Sequence, residues 1–406
     1  MTDEPTGTLL TGATGFLGGE VLARLLERGE GPVYALVRAP SDGEAQVRLE
    51  RIVEALLGDA AASAGQAIAV AGDITRPGLG IREADRDRLA ERVDRMIHCA
   101  ASVSFTLGPG PSREINVEGT RRMLDLGERC ARRGGIDAFV HVSTAYVAGA
   151  HDGTFGEGDL DVGQQFRNSY ERSKFEAELV VRERAPRLPV QIVRPSIVVG
   201  DSRSGWTPAF NVLYTPLRAF SRGAYPMLPA RRSSPVDVVP VDYVADAILA
   251  LAGRAGETHH LVAGDRASSV GEIIDLASEN AGLPSPRVLP PRLYRRTIHP
   301  ILVRSGSGAR RRALRASEQL FPYFAMRVSY DDERSRRALR GLGIEPPPLR
   351  SYFDRLMDFA RVADWGRRPI QRHETFVTPY SRQQGRLAER VARRRRFREA
   401  LAASQR

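Results

Sequence analysis

Lysine is almost missing from this 406-residue chain, which has one lysine, Lys174, beside 59 arginines. A GC-rich coding sequence would favour arginine codons over lysine codons, but it would not explain why one position keeps its lysine. Cysteine is also scarce: Cys99 and Cys130 are the only two, and they lack the spacing of a metal site. We expect no bound metal and two reduced, structural thiols in a cytoplasmic protein.

Long apolar runs are missing as well. No uninterrupted run reaches the length of a membrane span. The first residues, MTDEPTGTLL, are acidic and lead directly into a strand pattern, so no secretory signal is expected. The hydrophobic fraction of 42% and the charged fraction of 27% are typical of an ordinary globular protein. The length predicts one large or two moderate domains.

The net charge of +11 is unevenly distributed along the chain. Residues 285–406 contain 29 arginines and 11 acidic residues, so residues 1–284 are mildly acidic. This asymmetry argues against a main domain that binds nucleic acid. The basic C-terminal third could instead contact phosphates, an acidic carrier protein or an anionic membrane surface, which would place the protein at the membrane periphery. Residues 366–406 are interpreted as a basic tail, either solvated and partly helical or part of such a contact.

Strand and helix patterns alternate over the first 265 residues. Short segments rich in β-branched residues are separated by helical patterns at 43–57, 83–91, 112–132 and 169–184, and 257–265 is predicted to be the last strand. Such alternation requires crossover connections. The predicted fold class is therefore α/β, with a doubly wound, Rossmann-type parallel sheet.

A glycine array, TGATGFLGG, stands between the first strand and the first helix. Gly12 permits a tight turn, Gly15 lets backbone amides approach a pyrophosphate, and Gly18 allows close packing of the helix. The N-terminus of the helix adds partial positive charge. In this strand–turn–helix context, the array predicts dinucleotide binding.

The second and third strands end in residues that bear on the choice of cofactor. Arg38 stands where an NAD enzyme usually has an acid, so it favours the 2′-phosphate of NADP over NAD. In a chain so rich in arginine, Arg38 could also be a solvated residue placed there by chance. Asp73 could accept a hydrogen bond from the adenine amine or be a solvated loop acid.

The lone lysine lies four residues after a tyrosine, in SYERSK. In the predicted helix, Tyr170 and Lys174 share one face. A tyrosine that exchanges protons near neutral pH needs its pKa lowered by roughly three units from about 10. A compact ammonium beside it, together with the nicotinamide charge of the cofactor, could supply that shift. A planar guanidinium would place its charge differently. Ser143 and Thr144 end the strand next to this helix, where a hydroxyl could bind a substrate carbonyl or merely form a turn.

The motifs together resemble those of the extended short-chain dehydrogenases/reductases. TGATGFLG, AGDI, HCAA, NVEGT, VSTAYV, YERSK and VRPSIVVG occur in the order of that family over residues 6–265, and more loosely to about 365. HCAASVSF, NVEGT, HVSTAYVAG and IVRPSIV are most similar to the fatty acyl-CoA reductase and thioester reductase branch. The C-terminal 40 residues match no part of the pattern.

The resemblance implies a catalytic triad and a cofactor site. The triad falls on Thr144, Tyr170 and Lys174. The cofactor would be NADP(H), and the residues implied to bind it are Thr11, Gly12, Thr14, Gly15, Phe16, Leu17, Gly18, Arg38, Asp73, Ile74, Ala100, Ala101, Ser102, Asn116, Ser143, Tyr170, Lys174, Pro195, Ser196 and Ile197.

The implied function is NADPH-dependent reduction of a fatty acyl thioester, on CoA or a carrier protein, to an aldehyde and then in some cases an alcohol. The alternatives are a dehydrogenase of a sterol-like or other small ketone, a nucleotide-sugar epimerase or dehydratase, and a cofactor-binding regulator without catalysis. An epimerase usually retains NAD, which Arg38 disfavours, and a regulator would be expected to lack Tyr170 or Lys174.

Three regions are predicted along the chain. Residues 1–265 would form the NADP-binding domain, with 200–235 adding loop and short helix to the substrate site. Residues 266–365, mainly helical with proline breaks, would form a smaller substrate domain over the carboxyl edge of the sheet. The segment Trp206–Pro229 is either the lining of an acyl tunnel or half-exposed core. Residues 366–406 would be the basic tail.

Overall fold

The structure is a computed structural model. It describes residues 6–63, 65–210, 212–223, 227–305, 308, 311 and 323–376. Within these ranges, no helix combines the length and the apolar character needed to cross a bilayer.

The strands of the described chain follow one another from residue 7 to residue 330. In chain order they are β1 (Gly7–Thr11), β2 (Val33–Val37), β3 (Ala67–Ala71), β4 (Val93–His98), β5 (Ala138–Val142), β6 (Asp152–Phe155), β7 (Val190–Pro195), β8 (Ile197–Val199), β9 (Met227–Pro229), β10 (Pro235–Val236), β11 (Val238–Pro240), β12 (Thr258–Leu261), β13 (Ser268–Ser269), β14 (Arg287–Leu289) and β15 (Arg327–Tyr330).

The helices lie between these strands and after the last of them. The α-helices are α1 (Phe16–Glu27), α2 (Asp42–Leu57), α3 (Glu83–Ala90), α4 (Pro109–Arg113), α5 (Gly119–Arg133), α6 (Ser169–Arg184), α7 (Tyr214–Ser221), α8 (Val241–Leu251), α9 (Val270–Ala281), α10 (Pro291–Ser305), α11 (Glu333–Leu339) and α12 (Phe353–Val362). The predicted helix 112–132 is interrupted by a π-helical turn at Glu114–Glu118, before α5.

Seven parallel strands form the central sheet, in the order β12-β7-β5-β4-β1-β2-β3. Strands β1, β2, β5, β7 and β12 are buried at every residue, as expected for a parallel sheet that is covered on both faces. The predicted doubly wound sheet is confirmed. Its topological switch point lies between β1 and β4, where the chain reverses the direction in which it adds strands.

Alternate residues of each strand face opposite layers of helices. Leu10 and Ile97 belong to the core shared with α1 and α8, whereas Leu9 and Met96 belong to the core shared with α5 and α6. Helix α1 packs against α2 and α8 on one side, and α5 packs between α3 and α6 on the other. These two layers fix the carboxyl ends of the strands along one edge.

The C-terminal part of the described chain is closely joined to the first 265 residues. Strand β13 pairs with β10, β14 with β9, and β15 with β6. Leu339 and Phe359, from the last two helices, and Ala363, just after the last one, enter the core on the α1 side of the sheet. Residues 266–365 thus contain short strands as well as the predicted helices. The predicted domain boundaries stay predictions.

Residues 366–376, the start of the predicted tail, pack against the first helices. The Arg372 amide donates to the Ala55 carbonyl oxygen at 3.0 Å, and its guanidinium pairs with the carboxylates of Glu20 and Glu27 at 2.9 and 2.7 Å. The indole nitrogen of Trp206 donates to the Ile370 carbonyl oxygen at 3.0 Å. The rest of the predicted tail, 377–406, lies outside the described residues.

Candidate active site

The predicted site residues follow the carboxyl ends of six neighbouring strands. Thr11 ends β1 and residues 12–18 follow it, Arg38 follows β2, and Asp73 and Ile74 follow β3. On the other side of the switch point, residues 100–102 follow β4, Ser143 and Thr144 follow β5, and Pro195 ends β7, with Ser196 and Ile197 after it. Because open α/β sheets bind ligands at this edge, the fold gathers the predicted set in one crevice.

The glycine turn after β1 is tight in the way that a phosphate-binding loop requires. Gly12 has a left-handed φ of +79°, and a Cβ there would lie 2.9 Å from the amide nitrogen of Ala100. A Cβ on Gly18 would lie 2.2 Å from the carbonyl oxygen of Gly12. Thr14 and Gly15 are exposed at the start of α1, whose first turn has no acidic residue. This helix end can therefore accept an anion.

The residues around the turn are held by short contacts. The Thr11 hydroxyl hydrogen-bonds His98 Nδ1 at 2.7 Å and accepts from the Ala100 amide at 3.1 Å, so the turn is linked to the end of β4. Phe16 packs edge-on against Trp206 at 6.1 Å, and Leu17 packs into the core on the same side of the sheet. Trp206 thus supports the turn instead of lining a tunnel.

Three arginines gather where the adenosine end of a dinucleotide would lie. Arg38 is exposed, and Arg48 Nη1 donates to its carbonyl oxygen at 2.8 Å. Partial burial raises the pKa of Asp73. Hydrogen bonds from the Thr75 amide and hydroxyl, with the charges of Arg38 and Arg76, lower it by more. No carboxylate in the described chain forms an ion pair with Arg38. This end of the crevice therefore carries excess positive charge.

The side chains of two predicted cofactor-binding residues, Asn116 and Ile74, contact other parts of the protein. The Asn116 amide oxygen accepts from the Ser102 amide at 2.8 Å, and its nitrogen donates to the Ser102 carbonyl oxygen at 3.0 Å and to the Ser173 hydroxyl at 2.8 Å. Asn116 thus ties the loop after β4, including Ala101, to α6. Ile74 packs against Gly119, at the start of α5.

The Ser143 hydroxyl donates to Glu178 Oε2 at 2.8 Å, inside a buried network. Glu178 also accepts from Arg194 Nε at 3.1 Å, and neither side chain is exposed. A buried guanidinium requires such a partner, so the Glu178 carboxylate has a structural role inside the protein. Of the two neighbouring hydroxyls, Thr144 is the one that hydrogen-bonds Tyr170.

Helix α6 brings Tyr170 and Lys174 together, one turn apart. The helix begins at Ser169, and the preceding Asn168 accepts from the Glu171 amide at 3.0 Å through its side chain. Both side chains are buried. Lys174 Nζ donates to the Val142 carbonyl oxygen, at the end of β5, at 2.8 Å.

The electrostatics of this pair follow from its burial. Burial lowers the pKa of Lys174 from 10.5 to about 8, although Glu178 and Cys99 act in the opposite direction. Burial raises the pKa of Tyr170 to about 12, a hydrogen bond with Thr144 lowers it, and Glu171 raises it. With these influences alone, the phenol stays protonated near neutral pH. Bringing that pKa to neutrality requires a further positive charge beside the phenol.

Thr144 joins the triad to the end of β7. Its hydroxyl accepts from the Tyr146 amide at 3.2 Å and lies 3.4 Å from the Pro195 carbonyl oxygen. The Ser196 amide donates to the Leu261 carbonyl oxygen at 3.3 Å, which pairs this end with β12. The next residue, Ile197, lines an apolar cavity. The triad and the cavity are therefore adjacent.

The cavity and its open mouth together contain about 1030 Å³ of space free of protein atoms, part of it continuous with the solvent. The segment Trp206–Pro229 supplies much of the wall, through Leu213, Leu217, Phe220 and Leu228. Helix α9 supplies Ile273 and Ile274. The described lining is almost entirely apolar, and Trp206 is not part of it. Whether the segment binds an acyl chain stays a prediction.

An aromatic wall between the triad and the cavity was missed by sequence reasoning. The ring of Phe105 lies 5.7 Å from that of Tyr170 and 5.2 Å from that of Tyr323, which stands edge-on to Tyr146 at 5.4 Å. Phe105 is the last residue of the HCAASVSF motif, and Tyr146 follows Thr144 by two residues. Tyr323 comes from far along the chain and gave no local signal.

Neither cysteine forms a disulfide. Cys99 and Cys130 are free thiols, and burial raises the pKa of each to about 12, so neither is a thiolate near neutral pH. No group of three or more His, Cys, Asp or Glu side chains in the part of the chain that the structure describes is arranged to hold a metal ion.

Comparison with known proteins decides the family. The model of a family of NAD-binding domains, described as male sterility protein, matches residues 10–248. The chain belongs to this family. The predicted resemblance to the fatty acyl-CoA reductase and thioester reductase branch of the extended short-chain dehydrogenases/reductases is confirmed, and so is the nicotinamide class of cofactor.

Individual relatives agree with this placement. The fatty acyl-CoA reductase 1 of Pongo abelii is 30% identical over 288 residues, which cover 62% of this chain and 55% of that protein. The chain thus spans about half the length of the curated relatives that it matches.

Solved structures match over nearly the whole chain. The terminal R domain of the myxalamid PKS-NRPS biosynthetic pathway is 30% identical with a TM-score of 0.78, covering 91% of this chain and 94% of that one. The reductase (R) domain of a non-ribosomal peptide synthetase from Mycobacterium tuberculosis is 25% identical with a TM-score of 0.68, covering 89% and 92%.

Proposed function

We propose that the protein reduces a fatty acyl thioester to the aldehyde with NADPH. The observation that supports this best is the position of the Thr144–Tyr170–Lys174 triad, between the glycine turn and an apolar cavity. A nucleotide sugar would need a polar pocket, so the lining of this cavity favours an acyl chain over the epimerase alternative.

In the proposed reaction, NADPH supplies the hydride. The buried phenol of Tyr170 donates to the carbonyl oxygen of the thioester, and the Thr144 hydroxyl stabilises the charge that develops there. The ammonium of Lys174 gives one hydrogen bond to Val142 and keeps two donors for the ribose hydroxyls. The resulting hemithioacetal collapses to an aldehyde and a free thiol. A second reduction at the same site would give the alcohol.

The preference for NADPH rests on charge. Arg38 and Arg76 follow β2 and β3 and both act on the charge of Asp73, and Arg48 of α2 reaches the Arg38 carbonyl oxygen. Arg38 forms no ion pair with a carboxylate in the described chain. A 2′-phosphate placed there would receive charge-assisted hydrogen bonds, whereas a ribose 2′-hydroxyl would find an excess of donors. The side chains present therefore fit NADP better than NAD.

The thiol portion of the substrate would be CoA or an acyl carrier protein. Both are acidic, and the basic C-terminal third would attract either through its positive field. The same charge would also hold the protein at an anionic membrane surface.

The test of this function is NADPH oxidation by the purified protein with a long-chain acyl-CoA, followed at 340 nm with product analysis. We expect aldehyde to appear in step with NADPH loss, and Tyr170→Phe to abolish both. Bound NADPH without oxidation by either acyl-CoA or an acyl-carrier protein would refute the proposal and leave the ketone reductase alternative.

A further inference from the structure

The cavity beside the triad has few polar groups along its described lining. Among the residues that line it, Tyr146, Tyr323, Tyr330 and Asp237 carry polar atoms, and the rest are apolar. The Tyr323 phenol is already engaged, because it accepts from Asn168 Nδ2 at 2.7 Å and donates to Glu171 Oε1 at 2.6 Å. The other three groups are then those that a ligand could meet.

Tyr330 has a buried phenol that lacks a partner. It ends strand β15, where Val328 and Tyr330 lie on the same face and both line the cavity. The side chain is only 7% exposed, and its oxygen forms no hydrogen bond with the described chain. A buried hydroxyl left in this state costs free energy, so native structures usually give it a partner.

Two further polar groups lie near this phenol. Burial, followed by the proximity of Tyr146 and Asp237, raises the pKa of Tyr330 well above its ordinary value, so the phenol stays protonated and can donate. The oxygens of Asp237 accept from the amides of Ala263 and Gly264 at 2.8 and 2.9 Å and interact with the Ser196 hydroxyl, which leaves lone-pair capacity on the carboxylate. Tyr330 and Asp237 thus give the lining of one cavity both a donor and an acceptor.

The polar end of the cavity is the end next to the reacting groups. The Tyr146 amide donates to the Thr144 hydroxyl at 3.2 Å, so Tyr146 lies next to this member of the triad. The ring of Phe105 connects Tyr170 to Tyr323, at 5.7 and 5.2 Å, and Tyr323 packs on Tyr146. A substrate carbonyl held by Tyr170 would place the first carbons of its acyl chain at these side chains.

We infer that this end of the cavity binds a hydroxyl group of the substrate, near the thioester carbonyl, and that the preferred substrate is a hydroxyacyl thioester. The inference rests on the proposed thioester reductase function. The hydroxyl accepts from the Tyr330 phenol and donates to Asp237. An unsubstituted chain leaves the phenol unpaired, and sites built to bind a hydroxyl discriminate against ligands that lack it.

The first experiment compares kcat/KM for a 3-hydroxyacyl-CoA with that for the unsubstituted acyl-CoA of the same length. We expect the native protein to prefer the hydroxylated thioester about tenfold, and Tyr330→Phe to bring the ratio close to one. Tyr352→Phe is the matched control: its phenol oxygen is also buried and unpartnered in the described chain, but it does not line the cavity. This variant should keep the native ratio.

A binding measurement separates this inference from the proposed function. The free 3-hydroxy fatty acid and its unsubstituted counterpart are titrated calorimetrically into the native protein and the two variants. If neither thioester is reduced, the proposed function fails, and the ratio of the two dissociation constants still decides whether the cavity recognises a hydroxyl. Equal affinities, or a preference that Tyr330→Phe keeps, would overturn the inference whether or not the protein reduces thioesters.

Discussion

Lys174 donates a hydrogen bond of 2.8 Å to the carbonyl oxygen of Val142, and this contact fixes the ammonium between helix α6 and strand β5. Val142 precedes Ser143 and Thr144, so the same contact sets the distance between the lysine and the hydroxyl-bearing end of the strand. Val142 therefore holds Lys174 through its carbonyl oxygen and positions Thr144 through the chain that follows it. The predictions that follow concern this position and the cofactor crevice around it.

Replacing the lone lysine by arginine tests why it is there. Lys174→Arg should reduce kcat by two orders of magnitude or more, because the buried space holds a compact ammonium and a planar guanidinium would carry its charge elsewhere. Circular dichroism and the melting temperature should show a folded protein. The matched control, Arg172→Lys, changes an exposed arginine of the same helix that pairs with Glu176. Near-native kcat in Lys174→Arg would disprove the assigned role.

The pH dependence of turnover should report the same ammonium. The pKa of Lys174 in the folded protein is about 8, below its ordinary 10.5, so the side chain loses its proton as the pH rises through about 8. We expect kcat/KM for NADPH, which reflects the free enzyme, to fall above that pH and to recover when the sample is returned to neutrality. A profile that stays level to pH 10 would show that the ammonium is not needed.

Two neighbouring glycines of α1 offer a paired test of the cofactor turn. Gly18→Ala would place a Cβ 2.2 Å from the Gly12 carbonyl oxygen, so the turn must shift, and we expect NADPH affinity to fall at least tenfold. Gly19→Ala meets its nearest neighbour, the Ala13 carbonyl oxygen, at 3.4 Å. It should bind NADPH normally and gain up to about 1 kcal/mol of stability. Fluorescence titration and thermal melts measure both, and equal affinities would contradict the packing argument.

Cofactor choice should depend on Arg38. Arg38→Ala removes the charge-assisted hydrogen bonds expected at a 2′-phosphate, so kcat/KM should fall roughly 10- to 100-fold with NADPH and change little with NADH. Arg51→Ala, an exposed arginine of α2, serves as the control for lost surface charge. An equal loss with both cofactors would show that Arg38 acts on the fold or on the adenine and not on the phosphate.

Site features could be predicted from local sequence where the functional side chain lies in the same segment as the helix, turn or strand that positions it. The Tyr170–Lys174 spacing, the glycine turn and the strand ends were readable because each lies within a few residues of the element that positions it. The commitment of Ser143 to Glu178 was not readable, since it depends on a helix 35 residues away and on the charge of Arg194. Tyr323 was missed for the same reason, because it reaches the triad from a segment 152 residues beyond Glu171. Long-range contacts of this kind depend on packing between elements, on which local patterns carry no information.

The scarcity of lysine has a practical consequence once the position of Lys174 is known. An amine-selective reagent has one side-chain target in this chain, and that target lies buried beside the triad with an amine that is partly neutral at mildly alkaline pH. Modification of that amine, read by mass spectrometry, therefore measures how often the crevice opens. Protection by a bound dinucleotide or thioester would give the occupancy of the site directly, with no engineered reporter group and no turnover required.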